Sequence, residues 1–208
     1  MIKTFLLVVC GTMLQYSLPA QTKLLAENYY YNKSGFGSNI PMLAIETRKK
    51  WYAQVRYNYE EEGTLSVFAG KTVSGGETLQ YTFTPLLGYS FGNFKGPSLG
   101  FDAEVEWKNF FVSSQSQYSM YIPAKDKNFF FTWSEAGYNI SDRFYVGPAV
   151  QFTHTKCEDS WEPGFLAGLN FKNLSFPLYL FKPFQHERYF IIGLNYEFTL
   201  KSKHPKPL

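Results

Sequence analysis

The sequence has only two cysteines, Cys10 and Cys157, among its 208 residues, which excludes a scaffold held together by many disulfides. After the first twenty residues it also lacks any run close to the roughly 18 uninterrupted apolar residues that a transmembrane helix needs. Charged residues make up 18% of the chain and the formal net charge is +3, so electrostatics predict no nucleic acid partner. Hydrophobic residues, at 45%, and aromatic residues, at 20%, are abundant enough for one large folded domain.

The first twenty residues have the layout of a signal peptide. Lys3 is followed by an apolar run, and the segment ends in small and apolar residues up to Ala20. Cleavage is predicted after Ala20, which removes Cys10 and leaves Cys157 without an internal partner. The rest of the chain is expected to divide into a β-domain over 21–200 and a basic tail over 201–208.

Most of the chain alternates between apolar and polar residues with a period of two, which predicts β-strands. The clearest example runs from Phe190 to Leu200, where the even-numbered positions are apolar and most odd-numbered positions are polar. Twelve strands are predicted, near residues 25–34, 40–48, 51–61, 64–74, 78–92, 97–108, 109–122, 128–140, 143–156, 163–172, 174–184 and 188–200. Eight or ten strands are alternatives, because the first segment is weakly patterned and the connection at 91–97 is ambiguous.

Short and long connections alternate along this pattern, which is typical of an up-and-down barrel that crosses a membrane. Most predicted strands reach the roughly 9 to 11 residues that a tilted transmembrane strand needs, whereas strands in soluble sheets are commonly about 5 to 6 residues long. Trp51 and Trp107 stand beside short turns on the apolar parity, where an interfacial aromatic girdle is expected. The predicted fold is therefore all-β, an antiparallel up-and-down transmembrane β-barrel of about 12 strands.

The last predicted strand carries a more specific motif. Gly193, Tyr196 and Phe198 resemble the last-strand β-signal of outer-membrane barrels, in which a glycine is followed at fixed spacing by two aromatic or apolar residues. The chain thereby resembles the outer-membrane β-barrel proteins of Gram-negative bacteria, with Ile191 at a position that is usually polar. The resemblance implies an outer-membrane location, contact with membrane lipid and lipopolysaccharide, recognition by the barrel-assembly machinery and a periplasmic tail.

The polar parity of the predicted strands is expected to face the barrel lumen. The charged and amide side chains there either line a solute pathway or close it by pairing with each other; they are Glu46, Arg48, Arg56, Asp102, Glu104, Glu106, Gln151, Asn195 and Glu197. An open lumen would be a narrow, porin-like channel in which the acidic stripe at 102–106 favours cations. A filled lumen would make the protein a structural or accessory barrel, since barrels of this size have little interior space.

Two further functions are alternatives to a barrel without catalytic activity. A lipid-modifying enzyme would place a serine two positions from an outward-facing histidine, but the neighbours of His154 at that spacing are Phe152 and Lys156, so no catalytic residue is assigned. A secreted soluble β-sandwich would bury the apolar faces in a core between two sheets. The acidic runs at 60–62 and 158–159 are expected in solvated loops, and the three histidines lack the spacing of metal ligands, so neither metal nor cofactor is expected.

Overall fold

The computed structural model describes residues 22–33 and 36–200, so the predicted signal peptide over 1–20 and the tail over 201–208 lie outside the described residues. The described chain forms one antiparallel sheet with a turn of 3₁₀ helix at Lys125–Lys127, and no helix in it is long and apolar enough to span a bilayer. The strands are β1 (Thr22–Lys33), β2 (Phe36–Glu46), β3 (Trp51–Tyr57), β4 (Thr64–Lys71), β5 (Val73–Gly75), β6 (Leu79–Gly92), β7 (Gly96–Trp107), β8 (Phe110–Ser119), β9 (Phe129–Ser141), β10 (Phe144–Thr155), β11 (Asp159–Phe171), β12 (Leu174–Phe181) and β13 (Tyr189–Leu200).

The sheet closes on itself to form a barrel. Neighbouring strands pair antiparallel around the sheet, and β1 pairs with β13 from Thr22 opposite Leu200 to Asn32 opposite Phe190. β4 and β5 are two parts of one barrel strand, interrupted at Thr72, and both pair with β6. The barrel therefore has twelve strands, as the alternation predicts, and closure removes the exposed sheet edges that an open sheet would have.

Apolar side chains cover the outside of the barrel. On β13, Ile192 and Leu194 are exposed, whereas Tyr189 and Ile191 on the other parity are buried inside. Each strand contributes at least one large exposed hydrophobic side chain to an apolar belt around the barrel. Such a belt suits lipid, and closure satisfies the backbone hydrogen bonds that lipid cannot satisfy. The alternative of a soluble β-sandwich is wrong, because one sheet curls around its own polar face instead of two sheets burying their apolar faces.

The two ends of the barrel differ. The turn end is formed by the short connections after β2, β5, β7, β9 and β11, together with the start of β1 and the end of β13; the loop end is the opposite end. Trp51 and Trp107 lie at the turn end and face outward, as predicted. Lys71 Nζ lies 5.6 Å from the Trp51 ring centre, and Lys108 Nζ lies 4.9 Å from the Trp107 ring centre. These pairs suit a membrane interface, because the indole ring stays in the apolar layer while the ammonium group reaches water.

Four hydroxyl groups interrupt the apolar belt on β8 and β9. Ser114 Oγ lies 2.9 Å from Ser134 Oγ, and Ser116 Oγ donates to Thr132 Oγ1 at 2.8 Å. The hydroxyls thus satisfy one another across the strand pair, which lowers the cost of placing them in an apolar layer.

Gly193 has a packing role inside the barrel in addition to its place in the predicted β-signal. A Cβ atom at this position would lie 2.6 Å from Pro177 Cγ and 2.9 Å from Tyr29 Cε1. Tyr196 and Phe198 face outward instead, with their ring centres 6.4 Å apart.

We expect Gly193→Ala to lower the free energy of unfolding by about 1–3 kcal/mol, because the added methyl group overpacks the lumen. The measurement is the temperature at which the compact gel band of the folded barrel converts to the unfolded band. Thr199→Ala, at an exposed position of the same strand, is the matched control. Identical transitions for the two variants would contradict the packing role.

Candidate functional site: the barrel lumen

A buried ion pair closes one side of the lumen in its loop-end half. Arg56 on β3, only 4% exposed, donates from Nε and Nη2 to Glu60 Oε1 at 3.0 and 2.6 Å. Arg56 Nη2 also donates to Gln117 Oε1 on β8, and Ser66 Oγ on β4 donates to Glu60 Oε2. We call Arg56, Tyr59, Glu60 and Gln117 the latch. It joins β3, β8 and one loop, and Ser66 adds β4, through charge-assisted hydrogen bonds, which are the stronger kind.

The loop that carries Glu60 folds back into the barrel. Asn58 and Gly63 have φ angles of 62° and 72°, and Asn58 Oδ1 accepts the Gly63 N–H at 2.8 Å. This reversal places the Tyr59 ring 3.9 Å from the Arg56 guanidinium carbon and 5.7 Å, edge-on, from the ring of Phe131 on β9. The loop therefore spans part of the lumen.

The sequence predicts that the acidic run at 60–62 lies in a solvated loop, and this prediction is wrong for Glu60. The Glu60 side chain is fully buried, whereas Glu61 and Glu62 are exposed. The regular alternation predicts a strand that continues to residue 61, but β3 ends at Tyr57 because Asn58 adopts the left-handed conformation.

Aromatic rings fill the other side of the loop-end half. We call Trp133, Tyr179, Phe181 and Tyr189 the aromatic cluster; they lie on β9, β12 and β13. The ring centres of Trp133 and Tyr179 are 4.9 Å apart, and those of Phe181 and Tyr189 are 5.3 Å apart. Gln151 is 5% exposed, and its Oε1 lies 3.1 Å from the Tyr189 hydroxyl. This half of the lumen is therefore filled by side chains.

Lys182 holds the loop at 182–188 beside the aromatic cluster through two ion pairs. Lys182 Nζ lies 3.2 Å from a carboxylate oxygen of Glu162 and 3.2 Å from one of Glu187. Burial by itself lowers the pKa of Lys182, but hydrogen bonds to the two carboxylates outweigh burial, so the pKa lies above its usual value. The amine stays charged, and the loop at 182–188 is held at the barrel rim.

The turn-end half of the lumen contains a cavity of about 510 Å³, which we call the acidic cavity. Its ionisable lining is seven carboxyl groups and one amine, apart from tyrosine hydroxyls: Glu27, Glu46, Asp102, Glu104, Glu106, Glu135, Glu197 and Lys23. Glu104 and Glu106 are exposed at the turn end, and Glu27 and Glu135 are half-buried further inside. Lys23 Nζ pairs with Glu197 at 2.9 Å, and Lys50 Nζ in the turn after β2 pairs with Glu46 at 3.1 Å. Five carboxyl groups of the cavity wall therefore have no ion pair with a described side chain.

Most of the predicted lumen residues do face the lumen. Arg56 is in the latch and Gln151 is beside the aromatic cluster, and the acidic cavity is lined by Glu46, Asp102, Glu104, Glu106, Asn195 and Glu197. Arg48 does not line the lumen, and the prediction for it is wrong. β2 ends at Glu46, and Arg48 lies exposed in the turn that Lys50, with a φ of 66°, completes.

Sequence reasoning did not single out Glu27, Glu135 or Trp133. Glu27 lies on β1, whose alternation is weak, and the other two lie on the inward parity of β9. The sequence does contain a signal for Trp133 and Glu135, which share the inward parity of β9. Tryptophan in membrane barrels usually faces outward at the interface, so an inward tryptophan two residues from an inward carboxylate indicates a role in the lumen.

The candidate for lipid chemistry lies on the outside of the barrel. His154 is exposed near the loop end of β10, and its Nδ1 contacts Asp159 Oδ1 on β11. Within residues 22–33 and 36–200, no hydroxyl group is hydrogen-bonded to this ring, and no group of three metal-ligating side chains occurs. The arrangement lacks the nucleophile that ester hydrolysis requires.

A closed barrel of twelve antiparallel strands, with an apolar belt and a polar lumen, has the fold of the outer-membrane porins. One solved structure of this fold is the KdgM porin in complex with disordered oligogalacturonate, 10% identical, with a TM-score of 0.58 over 84% of this chain and 99% of that chain. Another is the NanC porin, 11% identical, with a TM-score of 0.56 over 85% of this chain and all of that chain. No protein-family model and no curated protein sequence matches this chain.

Proposed function

We propose that this chain is an outer-membrane barrel that passes small solutes through a narrow lumen and favours cations over anions. The proposal rests on one observation, the acidic cavity of about 510 Å³ with its seven carboxyl groups and one amine. Rings of carboxylates select cations in channels because they lower the electrostatic energy of a cation and raise that of an anion. The latch and the aromatic cluster then act as the constriction.

The apolar belt and the predicted signal peptide support an outer-membrane location. Cleavage near Ala20 would release the chain for export, and the motif of Gly193, Tyr196 and Phe198 would direct it to the barrel-assembly machinery. The belt would contact outer-membrane lipid, and the exposed loop end would face the lipopolysaccharide layer. The turn end and the tail over 201–208 would lie in the periplasm, because short turns are periplasmic in barrels of this type.

The charge of the lumen argues against carrying over a ligand from the KdgM porin. Oligogalacturonate is a chain of uronic acids and is therefore a polyanion. The described lumen offers such a chain one amine and seven carboxyl groups in its cavity, with Arg56 already paired to Glu60. Like charges at this density repel, so the solute class is expected to differ although the fold is shared.

The reversal potential in a planar bilayer under a potassium chloride gradient tests the proposal. We expect the reversal potential of the natural protein to have the sign that cation selectivity gives. The reversal potential should move towards zero in the triple variant Asp102→Asn/Glu104→Gln/Glu106→Gln. Glu61→Gln/Glu62→Gln, at exposed positions outside the lumen, is the control and leaves the potential unchanged. Anion selectivity, or a triple variant that behaves like the control, would overturn the proposal.

A structural or accessory barrel with a closed lumen is the second candidate. The filled loop-end half favours it, because Arg56, Phe181 and Tyr189 are all less than 5% exposed. The two candidates differ in conductance. A closed barrel gives no current, either as the natural protein or after the latch is broken.

A further inference from the structure

Three buried polar atoms at the wall of the acidic cavity have no hydrogen-bond partner within residues 22–33 and 36–200. They are Glu27 Oε2, Trp133 Nε1 and Asn195 Oδ1, and all three residues line the cavity. Trp133 is 6% exposed, so its N–H group is a buried donor that lacks an acceptor. The other two atoms are acceptors that lack a donor. Folded proteins leave few such atoms, and a ligand or an ordered water commonly supplies the missing hydrogen bond.

Aromatic rings held by their own hydrogen bonds surround these atoms. The Tyr29 ring lies 5.4 Å from the Trp133 ring, and Trp133 lies 4.9 Å from Tyr179. Asn195 Nδ2 donates to the Tyr29 hydroxyl at 3.1 Å, and the Tyr179 hydroxyl donates to a carboxylate oxygen of Glu135 at 2.8 Å. The Tyr29 and Tyr179 rings are therefore fixed in orientation beside Trp133. Tryptophan and tyrosine rings beside carboxyl groups are the surroundings that an organic ammonium group prefers.

We propose that the inner part of the acidic cavity binds a hydroxylated organic amine. The ammonium group would lie between Glu27 and the Tyr29, Trp133 and Tyr179 rings, where charge and ring faces both attract it. A hydroxyl group both donates and accepts, so hydroxyls of the same molecule satisfy the Trp133 N–H and the Asn195 carbonyl oxygen. The cavity volume of about 510 Å³ is in the range of small-molecule sites. The inference names the solute class and rests on the proposed function only for the route by which that solute crosses the membrane.

The protein offers a direct probe of this site. Of the four tryptophans, Trp51, Trp107 and Trp161 face outward, and Trp133 faces the lumen. In the full chain with Trp51→Phe, Trp107→Phe and Trp161→Phe, folded in detergent, selectively excited tryptophan emission therefore comes only from the proposed site. We would titrate it with four probes. Glucosamine carries both the charge and the hydroxyls, N-acetylglucosamine keeps all the hydroxyls and loses the charge, cyclohexylamine keeps the charge without hydroxyls, and galacturonic acid carries a negative charge.

We expect a saturable change of Trp133 emission with glucosamine. Binding of N-acetylglucosamine and of cyclohexylamine should each be weaker by about tenfold or more, since each lacks one of the two kinds of contact. Glu27→Gln should weaken glucosamine binding to a similar degree, whereas Glu61→Gln at the exposed loop should not change it. No response to any probe, which would mean a cavity holding water only, overturns the inference.

Equal responses to all four probes, or the tightest binding by galacturonic acid, would also overturn it. This failure is distinguishable from failure of the proposed function. Emission measures binding in detergent and needs no transport, whereas the reversal potential measures transport of potassium and chloride and needs no amine. Binding of glucosamine to a barrel without conductance would support the site and reject the channel.

Discussion

Replacement of Arg56 by methionine is expected to raise the single-channel conductance severalfold. Removing one member of a buried ion pair costs about 3–5 kcal/mol when the other charge stays buried. Glu60 lies on the loop between β3 and β4, so its carboxylate avoids this cost by moving out to water. Tyr59 would leave the lumen with it, because the ring then loses its contact with the guanidinium group.

Planar-bilayer recordings of the natural protein and of Arg56→Met measure this effect. Glu61→Gln removes a charge from the same loop without touching the latch, and its conductance should equal that of the natural protein. Arg56→Lys keeps a positive charge but lacks the planar two-point contact to Glu60, so an intermediate conductance is expected. If Arg56→Met conducts no better than Glu61→Gln, the latch is not the constriction. Only the absence of current in the natural protein and in all three variants would support the closed-barrel candidate.

Phe181→Ala is expected to lower the free energy of unfolding by about 3–5 kcal/mol, because it leaves a cavity where a fully buried ring was. The ring contacts Trp133 at 6.0 Å and Tyr189 at 5.3 Å between centres, so its loss removes packing from the centre of the aromatic cluster. Urea-dependent unfolding in lipid vesicles, followed by the mobility of the folded band, gives the measurement.

Phe184→Ala removes the same ring from the loop between β12 and β13, where the side chain is 90% exposed, and should change the free energy of unfolding little. A comparable loss of stability in the two variants would mean that the lumen is not packed as a core.

The latch variant and the aromatic-cluster variant are expected to change different properties of the protein. The latch variant should change conductance most, and the cluster variant should change stability most, because Glu60 lies on a loop whereas Phe181 lies on a strand.

The strand count and the outward faces could be predicted from sequence, because each depends only on the alternation of neighbouring residues. Trp51 and Trp107 are examples, since parity and a nearby turn suffice to place them. The latch could not be predicted in this way. It depends on Asn58 reversing the chain, so that Glu60 leaves the strand pattern and meets Arg56 on the inside. Local polarity predicts such an acidic run in solvent.

Contacts across the lumen could not be predicted from sequence for a similar reason. Parity places Glu104 and Glu135 inside, but parity alone does not indicate which strands face each other across the barrel or at what height. That information resides in the register of all twelve strands together. In the run from Ser113 to Gln117 alternation does not even show which side chains face inward, because polar residues occupy both parities. Its outward hydroxyls are understood only once β9 is placed opposite β8.

The pairing of β1 with β13 has a consequence for the order in which the barrel folds. These strands are the most distant in the chain, and they contact each other along eleven residue pairs. Every other strand pair is joined through a nearby turn or loop, so it forms at a lower cost in chain entropy. Closure is therefore expected to be the last and slowest event, because folding rates fall as the sequence separation of contacts grows. Until then the protein is an open, curved sheet with two unsatisfied edges, which is the stage at which it is most prone to misassemble.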